Sequence, residues 1–290
     1  MCSRAIQLSE LIVNSETELG RSLVAVVNDK KMVFFCGMAG TGKSLLVQQV
    51  SLLAHLSGRP VYLLQWDTVR EPFETPDMLS RFPEVGGVTH PGIRLAVGQW
   101  ARAAIHKWHQ EHSEDSSILI GEVPAIGNRL SEILLPRFDS AEALLASSAC
   151  SFVLPVPTKR LRSHMVSARR STIENPSDER EKRDAPPEVV AAHWTELQRV
   201  GREFGLSELP KDENYEPQYY KCVFARLLGN RPAKELFLSE RLEVRKSVYS
   251  KSIPLHELRA SAEAVSEAFR RVLELHSEQT MSESVSEWFR

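Results

Sequence analysis

The sequence feature that most constrains the fold is the octapeptide GMAGTGKS at residues 37–44, a full match to the pattern GxxxxGK[ST]. The apolar run at residues 32–36 precedes it, and Leu46, Val50 and Leu53 follow it at helical spacing. Glycines allow successive backbone N–H groups to turn toward one point, where the next helix also directs its positive N-terminus. The pattern therefore predicts a buried strand, a phosphate-binding loop and a helix, in that order.

This octapeptide, called the phosphate loop below, implies two ligands, ATP and Mg²⁺. The backbone of the loop would surround the phosphates, Lys43 would reach the β- and γ-phosphates, and the Ser44 hydroxyl would bind the metal. A chain of this length matches the motif by chance only about 1% of the time, which makes a coincidental match a weak alternative. The residues predicted to bind the nucleotide are Gly37, Ala39, Gly40, Thr41, Gly42, Lys43 and Ser44.

Composition narrows the classes of function. Among the 290 residues, Lys+Arg 36 against Asp+Glu 38 give a net charge of -2, so there is no basic excess that would indicate a nucleic-acid partner. The four cysteines are dispersed without a CxxC pair, and the N-terminal residues contain no continuous apolar stretch. These features predict a cytoplasmic protein in a reducing compartment, with neither a signal peptide nor a membrane span.

Three further apolar runs, at residues 61–66, 118–120 and 151–156, alternate with helical stretches. Strands separated by helices predict an α/β three-layer sandwich with a mostly parallel central sheet. Residues 1–30 are expected to form a helical extension, with a capping box at Ser15 and Glu18. The remaining chain, 31–290, is expected to be one domain with a mobile, basic lid inserted at about 159–190, and to close with a helix whose stripe runs from Leu258 to Val272.

Acidic side chains follow two of these strands, where ligands collect in an open parallel sheet. Asp67 comes after the second strand and is a candidate general base or acceptor ligand. Glu122 comes after the third strand and is a candidate ligand of magnesium or of a water molecule. The structural alternative for either residue is a helix cap or a solvated carboxylate.

A basic stretch after the fourth strand is interpreted as the lid. Its arginines would close over the phosphates, stabilise the charge on the transferring group and exclude water, with Arg162 in a catalytic role. The alternative is a solvated helix face paired with the acidic residues at 178–184. The arginines assigned to the lid are Arg160, Arg162, Arg169 and Arg170.

This arrangement resembles the P-loop kinases of nucleosides and nucleotides, and in part thymidylate kinase. The turn Val69-Arg70-Glu71-Pro72 is similar to the Arg-Glu-Pro turn of that family, and Arg94 resembles its arginine for the acceptor phosphate. The resemblance implies that Arg70 and Arg94 bind the acceptor. The chain departs from the family after the third strand, where Gly121-Glu122-Val123-Pro124 replaces an Asp-Arg-Tyr motif.

Two classes of function remain open at this point. The first is transfer of a phosphoryl group from ATP to a small acceptor, such as a nucleoside, a nucleotide or a related metabolite. The second is a regulatory ATPase in which Glu122 polarises water and the C-terminal half contacts a partner protein. The sequence lacks the Asn-Lys-x-Asp motif expected of a guanine-specific switch. The intact Lys43 and Ser44 argue against a binding protein that has lost catalysis. Formation of a homodimer is a further prediction that stays open.

Overall fold

The computed structural model describes residues 10–85, 88–206, 214–244, 246–250 and 252–290. Six strands in this part of the chain form one open sheet in the order β5-β4-β1-β3-β2-β6, and every strand pairing is parallel. The predicted α/β layered fold is confirmed. The strands are β1 Met32–Cys36, β2 Val61–Gln65, β3 Ile118–Val123, β4 Cys150–Pro157, β5 Ala233–Leu238 and β6 His256–Glu257.

Helices connect these strands and flank the sheet. Short 3₁₀ helices lie at Glu71–Phe73, Ser131–Ile133 and Glu179–Arg183. No helix in the described part of the chain combines the length and the apolar character that crossing a membrane requires. The α-helices are α1 Glu18–Asp29, α2 Lys43–Leu56, α3 Trp66–Val69, α4 Pro76–Arg81, α5 Pro91–His112, α6 Glu142–Leu145, α7 Lys159–Glu174, α8 Pro187–Glu203, α9 Pro217–Leu227, α10 Ala262–Leu275 and α11 Glu278–Ser286.

The sheet is buried on both faces, as the uninterrupted apolar run in β1 predicts. Phe34 belongs to one apolar cluster, which includes residues of α5, α9 and α10. Val33 and Phe35 belong to a second cluster on the opposite face, which includes residues of α1 and α2. Alternate residues of a strand point to opposite faces, so a strand covered on both sides has to be apolar throughout.

The sequence prediction differs from the structure at several element ends. β3 extends to Val123, so Glu122 lies within the strand, opposite Phe35 of β1 and Gln65 of β2, and not after it. β5 and β6 were not predicted. Most of the β5 residues are exposed and β6 has only two residues, so neither strand carries the apolar run by which the other strands were recognised.

The first and last helices also correct the predicted caps. Thr17, and not Ser15, caps α1 by accepting a hydrogen bond from the Gly20 amide at 3.0 Å, so the predicted capping box was wrong. α10 begins at Ala262 behind a Ser261 cap, which leaves Leu258 outside the helix. The predicted closing helix is confirmed for the part of the apolar stripe from Ala262 to Val272. Both α10 and α11 pack on α5.

The strand order places the phosphate loop at a point where the chain diverges. After β1 the chain crosses to β2 on one side of the sheet, whereas after β4 it continues to β5 on the other side. Adjacent parallel strands whose connections leave in opposite directions open a crevice beyond their carboxyl ends, and this crevice is where open α/β sheets bind ligands. The phosphate loop follows β1 and α7 follows β4 at this crevice.

Candidate functional site

The phosphate loop has the backbone conformation that its glycines make accessible. Gly37, Gly40 and Gly42 have φ angles of 135°, 77° and 87°, a region that other residues rarely adopt. A β-carbon on Gly37 would lie 2.0 Å from the Tyr220 hydroxyl oxygen, so this position also requires glycine for space. Gly42 is the N-cap of α2 and provides no side-chain cap, which leaves the first N–H groups of the helix available to an anion.

Three polar side chains meet at the start of α2. The Ser44 hydroxyl donates to Glu122 Oε1 at 3.2 Å, and Lys43 Nζ lies 3.8 Å from the same oxygen. Lys43 Nζ also donates to the Met38 carbonyl oxygen at 2.9 Å, and the Gln65 amide lies 3.5 Å from Glu122 Oε2. The side chain of Lys43 is therefore bound to the loop and to β3 together.

Burial governs the electrostatics of this group. Loss of hydration lowers the pKa of Lys43, and the nearby Glu122 carboxylate acts in the opposite direction. Loss of hydration likewise raises the pKa of Glu122, with Lys43 acting against it. Both charged forms lose hydration free energy here, so a further ion of opposite sign beside either group is stabilising.

The oxygen atoms at this point fit magnesium. Ser44 Oγ and Glu122 Oε1 are hard oxygen donors at the mouth of the phosphate loop. Within the described ranges, no three His, Cys, Asp or Glu side chains come together as a metal site. Mg²⁺ usually takes one or two protein carboxylates and completes its shell with phosphate oxygens and water. A single carboxylate, Glu122, beside the phosphate loop agrees with this preference.

A large cavity opens above the phosphate loop. Its volume is about 1410 Å³, larger than the roughly 300–1,000 Å³ typical of a pocket for one small ligand. Asp67 lines it from α3, the short helix directly after β2, Arg129 from the loop after β3, and Arg169 from α7. The cavity therefore has room for more than one small ligand.

Asp67 and Arg70 both line this cavity, although Arg70 is largely neutralised by its neighbours. Arg70 Nη1 donates to Glu74 Oε1 at 2.8 Å and to the Thr89 hydroxyl at 3.2 Å. Its Nε lies 3.7 Å from Asp67 Oδ1. About half of the Asp67 carboxyl group is exposed, so this group is accessible from the cavity.

Arg94 lies outside the cavity lining and supports the wall behind it. Its Nε donates to the Thr89 carbonyl oxygen at 2.8 Å and its Nη1 to the Gly127 carbonyl oxygen at 2.7 Å. Burial lowers the pKa of its guanidinium group to about 10. These contacts connect the start of α5 to the loop after β3. Arg94 does not line the cavity, so the structure gives no contact that supports its assignment to the acceptor.

The four arginines assigned to the lid occupy different environments. Arg169 lines the cavity and donates to the Ala185 carbonyl oxygen at 3.1 Å. Arg160 and Arg170 are exposed and do not line it. Arg162 is buried beneath the phosphate loop, with Nη2 3.7 Å from the Met38 sulfur and its guanidinium carbon 4.7 Å from the centre of the Tyr215 ring.

The alternative interpretation of the lid, a solvated helix face paired with residues 178–184, agrees with the exposure of Arg160 and Arg170, but two of the acidic residues have partners of their own. Asp178 pairs with Arg180 at 2.9 Å, and Glu179 pairs with Lys182 at 2.7 Å, so these acidic groups are neutralised within their own segment. Among the described residues, no carboxylate of that segment forms a salt bridge with Arg169, which donates to the Ala185 carbonyl oxygen instead.

Comparisons of the chain with protein-family models, with curated proteins and with solved structures found no match.

The sequence interpretation missed two residues of this site, Arg129 and His193. Arg129 Nη1 lies 3.0 Å from His193 Nε2, and both residues line the cavity. Arg129 belongs to the loop at residues 124–130, where Ala125, Asn128 and Leu130 all have positive φ angles near 60°. Non-glycine residues in this conformation cost free energy and cluster at functional sites. No sequence motif marks Arg129, and His193 is 64 residues away along the chain.

Proposed function

We propose that the chain binds ATP with Mg²⁺ at the phosphate loop and transfers the γ-phosphoryl group to a small acceptor, such as a nucleoside, a nucleotide or a related metabolite. One observation carries this proposal. Lys43, Ser44 and Glu122 meet below a glycine loop in left-handed conformation, and the cavity above them is large enough for two ligands. Transfer between two bound molecules needs such a cavity, whereas nucleotide binding alone does not.

The residues of the phosphate loop have defined roles in this proposal. The loop backbone and the uncapped N-terminus of α2 donate to the phosphate oxygens. Lys43 donates to the β- and γ-phosphates through N–H groups not used by the Met38 carbonyl oxygen. Ser44 and Glu122 hold the metal, which neutralises charge on the phosphates when it is bound.

The acceptor is proposed to lie on the Asp67 side of the cavity. Asp67 is an exposed carboxylate in α3, directly after β2, and can accept the proton of an acceptor hydroxyl group. Arg169 enters from α7 on the other side and can stabilise charge on the transferring phosphoryl group. In this proposal the two ligands lie side by side along the carboxyl ends of β1, β3 and β2.

A regulatory ATPase is the second candidate function. It requires Glu122 to polarise water, but the Oε1 atom of Glu122 accepts from Ser44 and faces Lys43, which favours a metal-binding role. A cytoplasmic location stays part of the proposal, supported by buried free thiols at Cys36 and Cys150. The absence of a nucleic-acid partner and the formation of a homodimer stay predictions.

Formation of ADP tests the proposal directly. The protein is incubated with ATP, Mg²⁺ and a panel of nucleosides, nucleotides and metabolites, and ADP is measured with and without each acceptor. We expect acceptor-dependent ADP in the wild type and its loss in Lys43→Met, which keeps the length of the side chain without its charge. ADP formation that is independent of any acceptor would support the ATPase instead. Equal turnover in Lys43→Met would exclude the phosphate loop as the site.

A further inference from the structure

The contact between Arg129 and His193 fixes the state of both side chains. A guanidinium group has only donors, so Nε2 of His193 has to accept the hydrogen bond at 3.0 Å, and the imidazole proton lies on Nδ1. The His193 side chain is only 9% exposed, and its Nδ1 has no hydrogen-bond partner in the described structure. Burial, together with Arg129 and other nearby cations, lowers the pKa of His193 to about 3. The imidazole is therefore neutral at physiological pH.

A neutral partner holds Arg129 in place without cancelling its charge. Within the described residues, the hydrogen bond to His193 is the one side-chain hydrogen bond of Arg129, and no carboxylate lies at salt-bridge distance from it. Asp67 acts on Arg129 only over a longer distance, and Arg70 opposes that effect. A largely desolvated cation of this kind is stabilised when a ligand brings an anion to it.

The charges around His193 extend this positive region. Lys43, Arg162 and Arg169 act on its imidazole electrostatically in addition to Arg129. Lys43 and Arg169 face the nucleotide side of the cavity. Asp67 acts electrostatically on Lys43 as well as on Arg129. Arg70, which also follows β2 and lines the cavity, is a further electrostatic neighbour of Arg129. The Arg129 guanidinium group therefore serves the half of the cavity that the proposed function gives to the acceptor.

We propose that Arg129 binds a compact oxyanion, either a phosphate monoester or a carboxylate, on the acceptor. This inference rests on the proposed function and narrows its substrate class to acceptors that already carry a negative charge. Arg129 then takes the role that the sequence resemblance gave to Arg70 and Arg94. Arg70 is neutralised by Glu74, and Arg94 lies behind the cavity wall. His193 is a positioning residue, because it holds the guanidinium group and leaves its charge available.

The first test measures binding of inorganic phosphate by calorimetry while Mg²⁺ and a non-hydrolysable ATP analogue saturate the phosphate loop. We expect saturable binding of phosphate to the wild type and a loss of about tenfold or more in affinity in Arg129→Gln. Arg241→Gln is the matched control, since Arg241 is an exposed arginine elsewhere on the cavity lining. Its phosphate affinity should stay within about twofold of the wild type.

The second test identifies the charged group on the acceptor. Binding of glycerol is compared with that of glycerol 3-phosphate and glycerate, and binding of thymidine with that of thymidine 5′-monophosphate. The charged members should bind at least about tenfold more tightly to the wild type, and Arg129→Gln should remove this preference. The ratio between glycerol 3-phosphate and glycerate then assigns the site to phosphate or to carboxylate.

The role of His193 is tested by rescue. In His193→Gln the side-chain carbonyl oxygen can still accept from Arg129, whereas in His193→Leu it cannot. We expect phosphate affinity close to wild type in the first variant and a loss similar to that of Arg129→Gln in the second, with circular dichroism confirming that both fold. Equal affinities in the two variants would remove His193 from this role.

Failure of this inference is distinguishable from failure of the proposed function. If the ATP analogue binds but phosphate does not, and charged and neutral acceptors bind alike, the anion site is refuted and the phosphate loop stands. If the analogue does not bind, the proposed function fails, and phosphate titration of Lys43→Met still decides the anion site alone. Phosphate binding that persists unchanged in Arg129→Gln would overturn the inference in either case.

Discussion

Two groups of arginines in this molecule are stabilised in opposite ways. Arg102 and Arg231 form the paired cluster with Asp139 and Glu142. Arg102 Nη2 lies 2.7 Å from Asp139 Oδ1, and both arginines bind Glu142 at 2.7–2.8 Å. The site arginines are Arg129, Arg162 and Arg169, whose contacts are an imidazole nitrogen, a thioether and an aromatic ring, and a carbonyl oxygen.

The pKa values follow this difference. Burial lowers the pKa of Arg102, but hydrogen bonds to Asp139 and Glu142 outweigh it and the net pKa is raised. Burial lowers the pKa of Arg129 and of Arg162, and no carboxylate at salt-bridge distance in the described structure compensates for it. The paired cluster is complete without a ligand, whereas the buried charge of Arg129 would be compensated by the anion that we propose it binds. The comparison predicts loss of stability on substitution in the first group and loss of ligand binding in the second.

The largest effect is expected for Arg231→Met, in the paired cluster. The side chain of Arg231 is fully buried and also donates to the carbonyl oxygens of Ile133 and Leu135. Its removal deprives the Ile133 oxygen of this donor, leaves the Leu135 oxygen with the longer hydrogen bond from Arg102 at 3.3 Å, and leaves part of Glu142 without a counterion. We expect the free energy of unfolding to fall by about 3–5 kcal/mol, measured by urea titration. ATP affinity in the folded protein should not change. A loss of ATP affinity without a loss of stability would contradict the assignment of Arg231 to the paired cluster.

An intermediate effect is expected for the pH dependence of stability through His193. Its pKa is lowered to about 3 in the folded chain, from an ordinary value of about 6.5. The unfolded chain therefore takes up the proton first as the pH falls, and the free energy of unfolding decreases between about pH 6.5 and pH 3.

This contribution can be isolated by difference. His193→Gln should decrease less steeply with falling pH than the wild type, by at most about 1.4 kcal/mol per pH unit, when urea titrations are compared at pH 7, 5.5 and 4.5. Parallel pH profiles for the two proteins would show that His193 is not buried as a neutral imidazole.

The smallest effect on stability is expected for Arg162→Met. Burial already disfavours the guanidinium group, its Nε has no hydrogen-bond partner in the described structure, and methionine has a similar length. We expect the free energy of unfolding to stay within about 1 kcal/mol of the wild type, in contrast to Arg231→Met. The same variant tests the predicted catalytic role of Arg162, since a lower rate of ADP formation at unchanged stability would support it. A loss of several kcal/mol would place Arg162 with the paired cluster.

The part of the fold that the sequence predicted is the part in which local pattern determines structure. β1, the phosphate loop and α2 are contiguous, and the motif requires all three. β5 could not be recognised, because its Lys234 and Glu235 are exposed and the strand is defined by its pairing with β4. β6 consists of two residues beside β2 and likewise depends on tertiary pairing.

The site, like the fold, was predictable from the sequence only where local pattern determines the positions of its residues. Lys43, Ser44 and Glu122 converge because parallel strands end at one edge of a sheet. Arg129 could not be identified, because its role depends on a left-handed loop and on an imidazole from α8. Whether a lid arginine is buried or exposed depends on which face of α7 packs against the rest of the protein. Arg162 is on the packed face, where its guanidinium group lies over the Tyr215 ring.

The central claim is that the phosphate loop binds a nucleoside triphosphate with Mg²⁺. A calorimetric titration of the wild type and of Lys43→Met with Mg-ATP tests it most directly. We expect saturable binding with one site per chain in the wild type and an affinity about 100-fold lower or worse in Lys43→Met. Absence of saturable binding to the wild type, or equal affinity in both proteins, would contradict it.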